Sequence, residues 1–185
     1  MTSARIPPLS PPYSDEVGET FKRLMPPGME PLLLFRTVAH NPRVLRRMQR
    51  GGLLDPGSIT ARQRELVILR TCFLCGAEYE WGVHATLFGA SVGLNDEDVR
   101  ATLQPAGETD WPHEERLIVE MCDALHERGH LDDALYASLA GCFSPEQVVE
   151  LSMLAGLYHA VSFVVNTAVV QHEPWARTFA SVRDE

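Results

Sequence analysis

The chain has 185 residues, a formal net charge of −9 and a pI of about 5.2. A hydrophobic fraction of 45% and a charged fraction of 22% are typical of a globular protein, and the length suits one domain. The negative charge repels phosphate backbones, so nucleic acid is not an expected partner. No signal-peptide core and no apolar segment of transmembrane length is recognised, which predicts a cytoplasmic protein with no membrane partner.

The first thirteen residues differ in composition from the rest of the chain. Residues 1–13 contain four prolines, which disfavour a helix and predict an extended arm. Residues 14–185 are predicted to fold as one domain. Three short helices are predicted to follow the arm: one capped by Ser14 that reaches Met25, one over Leu32 to Val38, and one over Arg43 to Arg50.

The middle of the chain predicts a helical hairpin. Thr60, with Gln63 three residues later, is a capping box that opens a helix to about Cys75. Gly76 ends this helix, because glycine commonly takes the left-handed conformation after a helix. A second helix is predicted from about Glu78 to Val92.

The last part of the chain predicts further helices and no strand. The sequence Ser144-Pro145-Glu146-Gln147 combines a cap, an N1 proline and an N3 glutamine. The helix that it opens is apolar on almost all sides, which predicts a central position. No segment alternates with period two for long enough to form a strand, so the predicted class is all-α. Four helices are predicted in this part of the chain. The first is short and is capped by Asn95, and the others run from about His113 to Arg128, from Asp132 to near Gly141, and from Ser144 through Val170.

A carboxylate lies within the apolar stripe of the first hairpin helix. At about 100° per residue, Glu65 shares one face with Ile68 and Leu69. Burying a carboxylate without a partner is costly, so Glu65 is expected to be neutral, paired or next to a cavity. The alternative is an ion pair with Arg62 or Arg70, or a position at the solvent edge of the stripe.

The second hairpin helix carries Glu80 and His84 one turn apart. A Glu–His pair at this spacing is a common acid/base unit, because the carboxylate orients the imidazole and raises its basicity. A solvated surface pair is the alternative. Two antiparallel helices joined at Gly76 bring Glu65 close to His84 if the hairpin packs both faces inward.

Cys72 and Cys75 form a Cys-x-x-Cys pair at the C-terminal end of the first hairpin helix. The helix dipole disfavours a thiolate there, so we interpret both side chains as small buried hydrophobic groups, with a redox dithiol as the alternative. No second close pair of ligands accompanies them, so no metal site is predicted. His159 is interpreted as a hydrogen-bonded core residue in preference to a cavity wall.

The stretch from Arg62 to Arg70, followed by Gly76 to His84, resembles the signature of the carboxymuconolactone decarboxylase family. Its specific elements are Arg-x-Arg-Glu-Leu and a downstream Tyr-Glu-Trp-x-x-His. The resemblance implies an alkylhydroperoxidase D-like helical fold in which the central hairpin carries the site. It also implies a homo-oligomer, either a dimer, a trimer or a hexamer.

The resemblance implies one of two chemistries. The alkylhydroperoxidase D branch has a Glu, then Cys-x-x-Cys, then a His four residues after the second cysteine. Glu65 and His84 match the outer positions, but Ala77 and Glu80 occupy the two cysteine positions. The Cys-x-x-Cys pair that is present lies five residues too early for that mechanism. Glu80 in place of the second cysteine resembles the decarboxylase-like branch.

These observations predict a cofactor-free acid/base enzyme, similar to a lyase or an isomerase, that acts on a small organic acid or lactone. His84 is the predicted general acid/base, Glu80 its orienting partner and Glu65 a second relay carboxylate. One alternative is a peroxiredoxin-type thiol enzyme that uses Cys72 and Cys75, and another is a non-catalytic helical oligomeric binding module. The residues predicted to contact the substrate are Tyr79, Arg62 and Arg70.

Overall fold

The computed structural model describes residues 3–183, and within that range the chain forms ten α-helices and no β-strand. The predicted all-α class is therefore confirmed. The first five helices are α1 (Asp15–Leu24), α2 (Leu33–Val38), α3 (Pro42–Arg50), α4 (Ala61–Leu74) and α5 (Glu78–Leu87). The other five are α6 (Asp96–Ala101), α7 (His113–Arg128), α8 (Asp133–Cys142), α9 (Pro145–Ala168) and α10 (Phe179–Arg183).

Side-chain caps set most of the helix starts. Thr60, Asn95 and Ser144 each form a complete capping box, in which the cap side chain and the N3 side chain satisfy each other's backbone N–H groups. Ser14 and Asp132 each accept one backbone N–H as a simple N-cap. These caps were all predicted, because their residue types and spacing are local features of the sequence.

Helix α5 ends earlier than predicted, at Leu87 instead of Val92. The N–H groups of Phe88 and Gly89 both donate to the carbonyl oxygen of His84, at 3.0 and 3.2 Å, which interrupts the regular α-helical pattern. A short 3-10 helix, Ala90–Val92, continues the chain. Helix α9 likewise ends at Ala168, two residues before the predicted Val170.

Helix α4 lies at the centre of the molecule and packs against α5, α7 and α9. All eight residues from Glu65 to Cys72 are buried, so the helix has no solvent-facing side over more than two turns. Gly76, with φ of 64°, provides the left-handed turn that reverses the chain into α5. The predicted central hairpin is therefore α4 followed by α5.

Helix α9 is long and apolar enough to cross a membrane by length and composition alone, and 33% of its most apolar window is buried. The prediction that no segment reaches transmembrane length is wrong by this criterion. The central helix of a water-soluble protein also meets the criterion, and α9 packs against α4, α7 and α8. The finding is weak support for membrane insertion.

Within residues 3–183, the segments before α1 and after α9 both pack against the helical body. In the arm, the N–H groups of Arg5 and Ile6 donate to the carbonyl oxygen of Ala168, at 2.9 and 3.2 Å. The division into an arm at residues 1–13 and a domain at 14–185 stays a prediction. At the other end, α10 was not predicted, and its Phe179 packs edge-to-face on Trp81 with ring centroids 5.2 Å apart.

Candidate active site

The α4–α5 hairpin brings Glu65 and His84 into direct contact. Glu65 Oε2 lies 2.7 Å from His84 Nδ1, and the two side chains are 1% and 4% exposed. Glu65 is on the second turn of α4 and His84 on the second turn of α5, so the turn at Gly76 sets their approach. A short, buried contact of this kind fixes both the orientation of the imidazole and the atom that carries its proton.

The other imidazole nitrogen, Nε2, has two oxygen neighbours. The hydroxyl of Tyr158, on α9, lies 3.1 Å away, and Glu80 Oε1 lies 3.5 Å away, one helical turn before His84. Tyr158 also packs edge-to-face on the imidazole ring. Burial raises the pKa of the Tyr158 phenol well above its usual value, so the hydroxyl keeps its proton.

Charges around the imidazole favour its protonated form. Burial by itself lowers the pKa of His84, but the hydrogen bonds and charges of Glu65 and Glu80 outweigh burial and raise the pKa to about 9. Arg64 Nε donates to Glu65 Oε1 at 3.2 Å. Glu65 is therefore paired with both His84 and Arg64, and His84 also lies beside Glu80.

A cavity of about 660 Å³ opens beside this group, and Glu80, His84 and Tyr158 line it. The rest of the wall is mainly apolar and comes from α1, α2, α3, the segments that follow α1 and α3, α5 and α9. Apolar walls with a few polar side chains are typical of pockets for small molecules. The apolar lining residues include Met25, Met29, Leu32, Phe35, Leu53 and Phe88.

The three residues predicted to contact a substrate do not line this cavity. Arg62 pairs with Glu115 at 2.7 Å and Asp98 at 3.0 Å, and Arg70 pairs with Asp123 at 2.6 Å. These contacts tie α4 to α6 and α7. The hydroxyl of Tyr79 contacts Glu173, at 2.9 Å, and the backbone of α2.

The two cysteines are also separate from the cavity, whose lining residues include no cysteine. Cys72 is fully buried and Cys75 is half-buried. Burial raises the pKa of both thiols, well above the usual value for Cys72, and the nearby Ser162 hydroxyl only partly opposes this effect. Neither thiol is therefore activated as a nucleophile.

The geometry differs from the predicted arrangement of roles. Glu65, and not Glu80, makes the short contact to Nδ1 that orients the ring, while Glu80 lies beside Nε2 on the cavity side. Glu65 pairs with Arg64, and not with Arg62 or Arg70. Tyr158 was not predicted at all, because it lies 74 residues from His84 and nothing in its local sequence marks it as polar-facing.

Comparison with known families gives one match. Residues 42–119 match the sequence profile of the Carboxymuconolactone decarboxylase family. This region contains α3 to α6 and the start of α7, and so includes Glu65, Glu80 and His84. Among curated proteins, no sequence matches the chain significantly.

Three solved structures are similar to this fold. An uncharacterized peroxidase-related protein from Ralstonia eutropha JMP134, described as an alkylhydroperoxidase AhpD core, is 15% identical, with a TM-score of 0.79 and coverage of 93% of this chain and 95% of that chain. The debrominase Bmp8, as a cysteine-to-alanine variant in complex with 2,3,4-tribromopyrrole, is 16% identical. Its TM-score is 0.77, and the alignment covers 99% of this chain and 97% of that chain. A putative antioxidant defence protein AhpD from Agrobacterium tumefaciens is 16% identical, with a TM-score of 0.67 and coverage of 74% and 94%. At these identities the similarity shows the fold, which is AhpD-like as predicted.

Proposed function

Because residues 42–119 match the Carboxymuconolactone decarboxylase family, we propose that the chain is a cofactor-free enzyme that transfers a proton on a small, largely apolar organic acid or lactone. The observation that carries this proposal is the position of His84. Its Nδ1 is held at 2.7 Å by the buried Glu65, while its Nε2 lies with Glu80 and Tyr158 beside the cavity. A ring fixed on one side and open to a cavity on the other is suited to general acid/base chemistry.

A conjugated organic acid shows how this geometry would work. The bond to the carboxylate carbon breaks, CO₂ leaves, and the electron pair moves into the conjugated carbonyl group as a dienolate. His84 Nε2–H then donates its proton to the dienolate carbon, and the neutral imidazole recovers a proton from water. The apolar cavity wall assists the first step, because it removes water from the substrate carboxylate.

The charges in the cavity restrict how an acidic substrate would lie. Glu80 repels a second carboxylate, so the acidic end of the substrate would point away from the inner end of the cavity. Arg50, at the end of α3, is exposed and lines the same cavity. Arg50 therefore replaces Arg62 and Arg70 as the candidate that holds a substrate anion.

The test uses the purified protein with a panel of conjugated carboxylic acids and lactones. CO₂ release measures the decarboxylation step. Uptake of solvent deuterium into the product, followed by NMR, measures the protonation step. We expect His84→Ala to lower kcat by about 10²–10⁴-fold, the usual contribution of general acid/base catalysis. The Cys72→Ser, Cys75→Ser double variant is the control and should keep full activity. Undiminished turnover in His84→Ala would exclude the mechanism.

A thiol-dependent peroxidase is the second candidate, because two of the similar structures are described as peroxidase-related or antioxidant proteins. The raised pKa of both thiols and the absence of cysteine from the cavity lining disfavour it. Peroxide consumption that disappears in the double cysteine variant and persists in His84→Ala would favour this candidate. If the panel compounds bind but none reacts, a binding module is favoured instead.

A further inference from the structure

Three potential metal ligands from three different helices converge at the surface, outside the cavity. Cys75 caps the C-terminal end of α4, His126 lies in the last turn of α7, and His159 lies in the second half of α9. Their ligand atoms all lie within 4.8 Å of one another. Cys75 and His159 are half-buried and His126 is exposed, so solvent reaches the cluster.

The separations within this cluster are close to those of a tetrahedral metal centre. Bonds of about 2.0 Å to nitrogen and about 2.3 Å to sulfur place tetrahedral ligands about 3.3 Å apart for two nitrogens and about 3.6 Å apart for nitrogen and sulfur. His126 Nδ1 lies 3.3 Å from His159 Nε2, and Cys75 Sγ lies 3.9 Å from His126 Nδ1. The third separation, between the ligand atoms of Cys75 and His159, is at most 4.8 Å, and rotation of these two side chains toward each other would complete the geometry.

Neighbouring contacts hold two of the three ligands in place. Asn166 Nδ2 donates to the backbone carbonyl oxygen of Cys75 at 2.7 Å, which fixes the end of α4 against α9. The His159 ring packs edge-to-face on Phe163 at 6.0 Å, and its other ring neighbour is His126 at 5.1 Å. Such outer contacts orient ligands before a metal binds.

We propose that Cys75, His126 and His159 bind a divalent transition metal ion, with Zn²⁺ as the best match. One thiolate and two imidazoles form a donor set of the type that Zn²⁺ uses, and three protein ligands leave a fourth position for water or a small ligand. Binding releases the Cys75 thiol proton to solvent and links α4, α7 and α9. It also withdraws Cys75 from any thiol chemistry with Cys72. The proposal is independent of the role of His84.

The experiment titrates the full-length, reduced and chelator-treated protein with Co²⁺ and then displaces the cobalt with Zn²⁺. We expect one equivalent of Co²⁺ to produce the visible bands of a tetrahedral ion together with a sulfur-to-cobalt charge-transfer band. The Cys75→Ser variant should lose the charge-transfer band. His126→Ala and His159→Ala should each weaken Zn²⁺ affinity by about a hundredfold or more, because even the loss of an outer partner weakens binding by about 10–100-fold.

Two variants outside the cluster serve as matched controls. Cys142→Ser changes another half-exposed cysteine, and His130→Ala changes another exposed histidine just beyond α7, so both should bind the metal as the unmodified chain does. Circular dichroism checks that each variant keeps its helices. Absence of saturable binding, a cobalt spectrum without the sulfur band, or affinity that survives Cys75→Ser and His126→Ala would overturn the proposal. Binding lost only in His84→Ala would overturn it too, by placing the ion at the cavity.

Discussion

Glu65, His84 and Glu80 form a cluster of ionisable side chains in the core, and each is at most 6% exposed. Charges at such depth are tolerated only when they are paired and hydrogen-bonded, as they are here through the imidazole and Arg64. Removal of one partner leaves the other buried without compensation, which typically costs 3–5 kcal/mol. A substitution in this cluster is therefore expected to change both the stability of the protein and its proposed activity.

The raised pKa of His84 predicts a specific dependence of stability on pH. The folded-state pKa of about 9 lies above the ordinary value of 6.5, so the stabilising contribution is fully present below about pH 6.5 and is lost as the pH rises through about 9. The difference corresponds to on the order of 3 kcal/mol. We expect the free energy of unfolding in urea to fall over this range in the unmodified chain and to change much less in His84→Gln. Equal pH dependence in both proteins would contradict the assigned pKa.

Glu65→Gln should separate charge from shape at the same position. The amide keeps the size of the side chain but removes the negative charge that raises the pKa of His84. Because His84 is the proposed acid, we expect activity to fall at high pH, and this fall should begin at lower pH in the variant. An NMR titration of the imidazole measures the same shift directly. Glu115→Gln, which removes a partner of Arg62 away from the cavity, is the control and should leave the profile unchanged.

At the scale of elements, the C-terminal segment fits closely against α5. Arg177 N–H donates to Thr86 Oγ1 at 2.9 Å, and Phe179 N–H donates to Glu78 Oε1 at 2.6 Å. Between these two contacts, Gly82 faces the backbone of Arg177, and a Cβ atom at Gly82 would collide with the Arg177 carbonyl oxygen. The glycine is therefore required for the approach of the segment and not for a turn.

Gly82→Ala should destabilise the protein although alanine is the better helix former. Overpacking against backbone typically costs 1–3 kcal/mol, which exceeds the roughly 1 kcal/mol that alanine gains in a helix. Gly18→Ala in α1 is the matched control, because a Cβ atom there meets nothing within 4 Å, and it should be neutral or stabilising. Thermal unfolding of the two variants measures the contrast. Two variants of equal stability would show that the segment moves aside without cost.

At the scale of the whole molecule, α9 exposes a row of apolar side chains. Val149, Met153 and Phe163 are 64%, 62% and 64% exposed and lie on one side of the helix, with the small residues Gly156 and Ala160 between them. The spacing of three and four residues is that of a helix–helix seam, and small residues allow close approach. When the α9 helices of two copies pack together, the large side chains of one helix can fit against the small residues of the other. The predicted homo-oligomer therefore has a candidate contact surface on α9.

We expect Met153→Glu with Phe163→Glu to lower the mass measured by light scattering from that of an oligomer to that of one chain, because two buried charges face each other across the seam. Tyr136→Glu, which changes a similarly exposed aromatic residue on α8, should leave the mass unchanged. An unchanged mass in the double variant, or a monomeric unmodified chain, would contradict the prediction.

The sequence by itself determined most of the helices and the pairing of α4 with α5 in a hairpin. Capping boxes at Thr60, Asn95 and Ser144 are local, so their residue types were sufficient to place three helix starts. The short turn at Gly76 makes α4 and α5 neighbours, so the sequence allowed the approach of Glu65 to His84 but did not require it. The family resemblance was also recognised from the sequence, in the hairpin residues from Arg62 to Arg70 and from Gly76 to His84.

Only the tertiary structure decided which distant side chains meet. Tyr158 reaches His84 from α9, and His126 and His159 join Cys75 from two other helices. These contacts depend on the rotation and crossing angle of helices that are far apart in the chain. Because α4 is buried on every side, its apolar periodicity does not indicate which face meets which neighbour. Packing of the whole core sets those angles, and no local pattern encodes them.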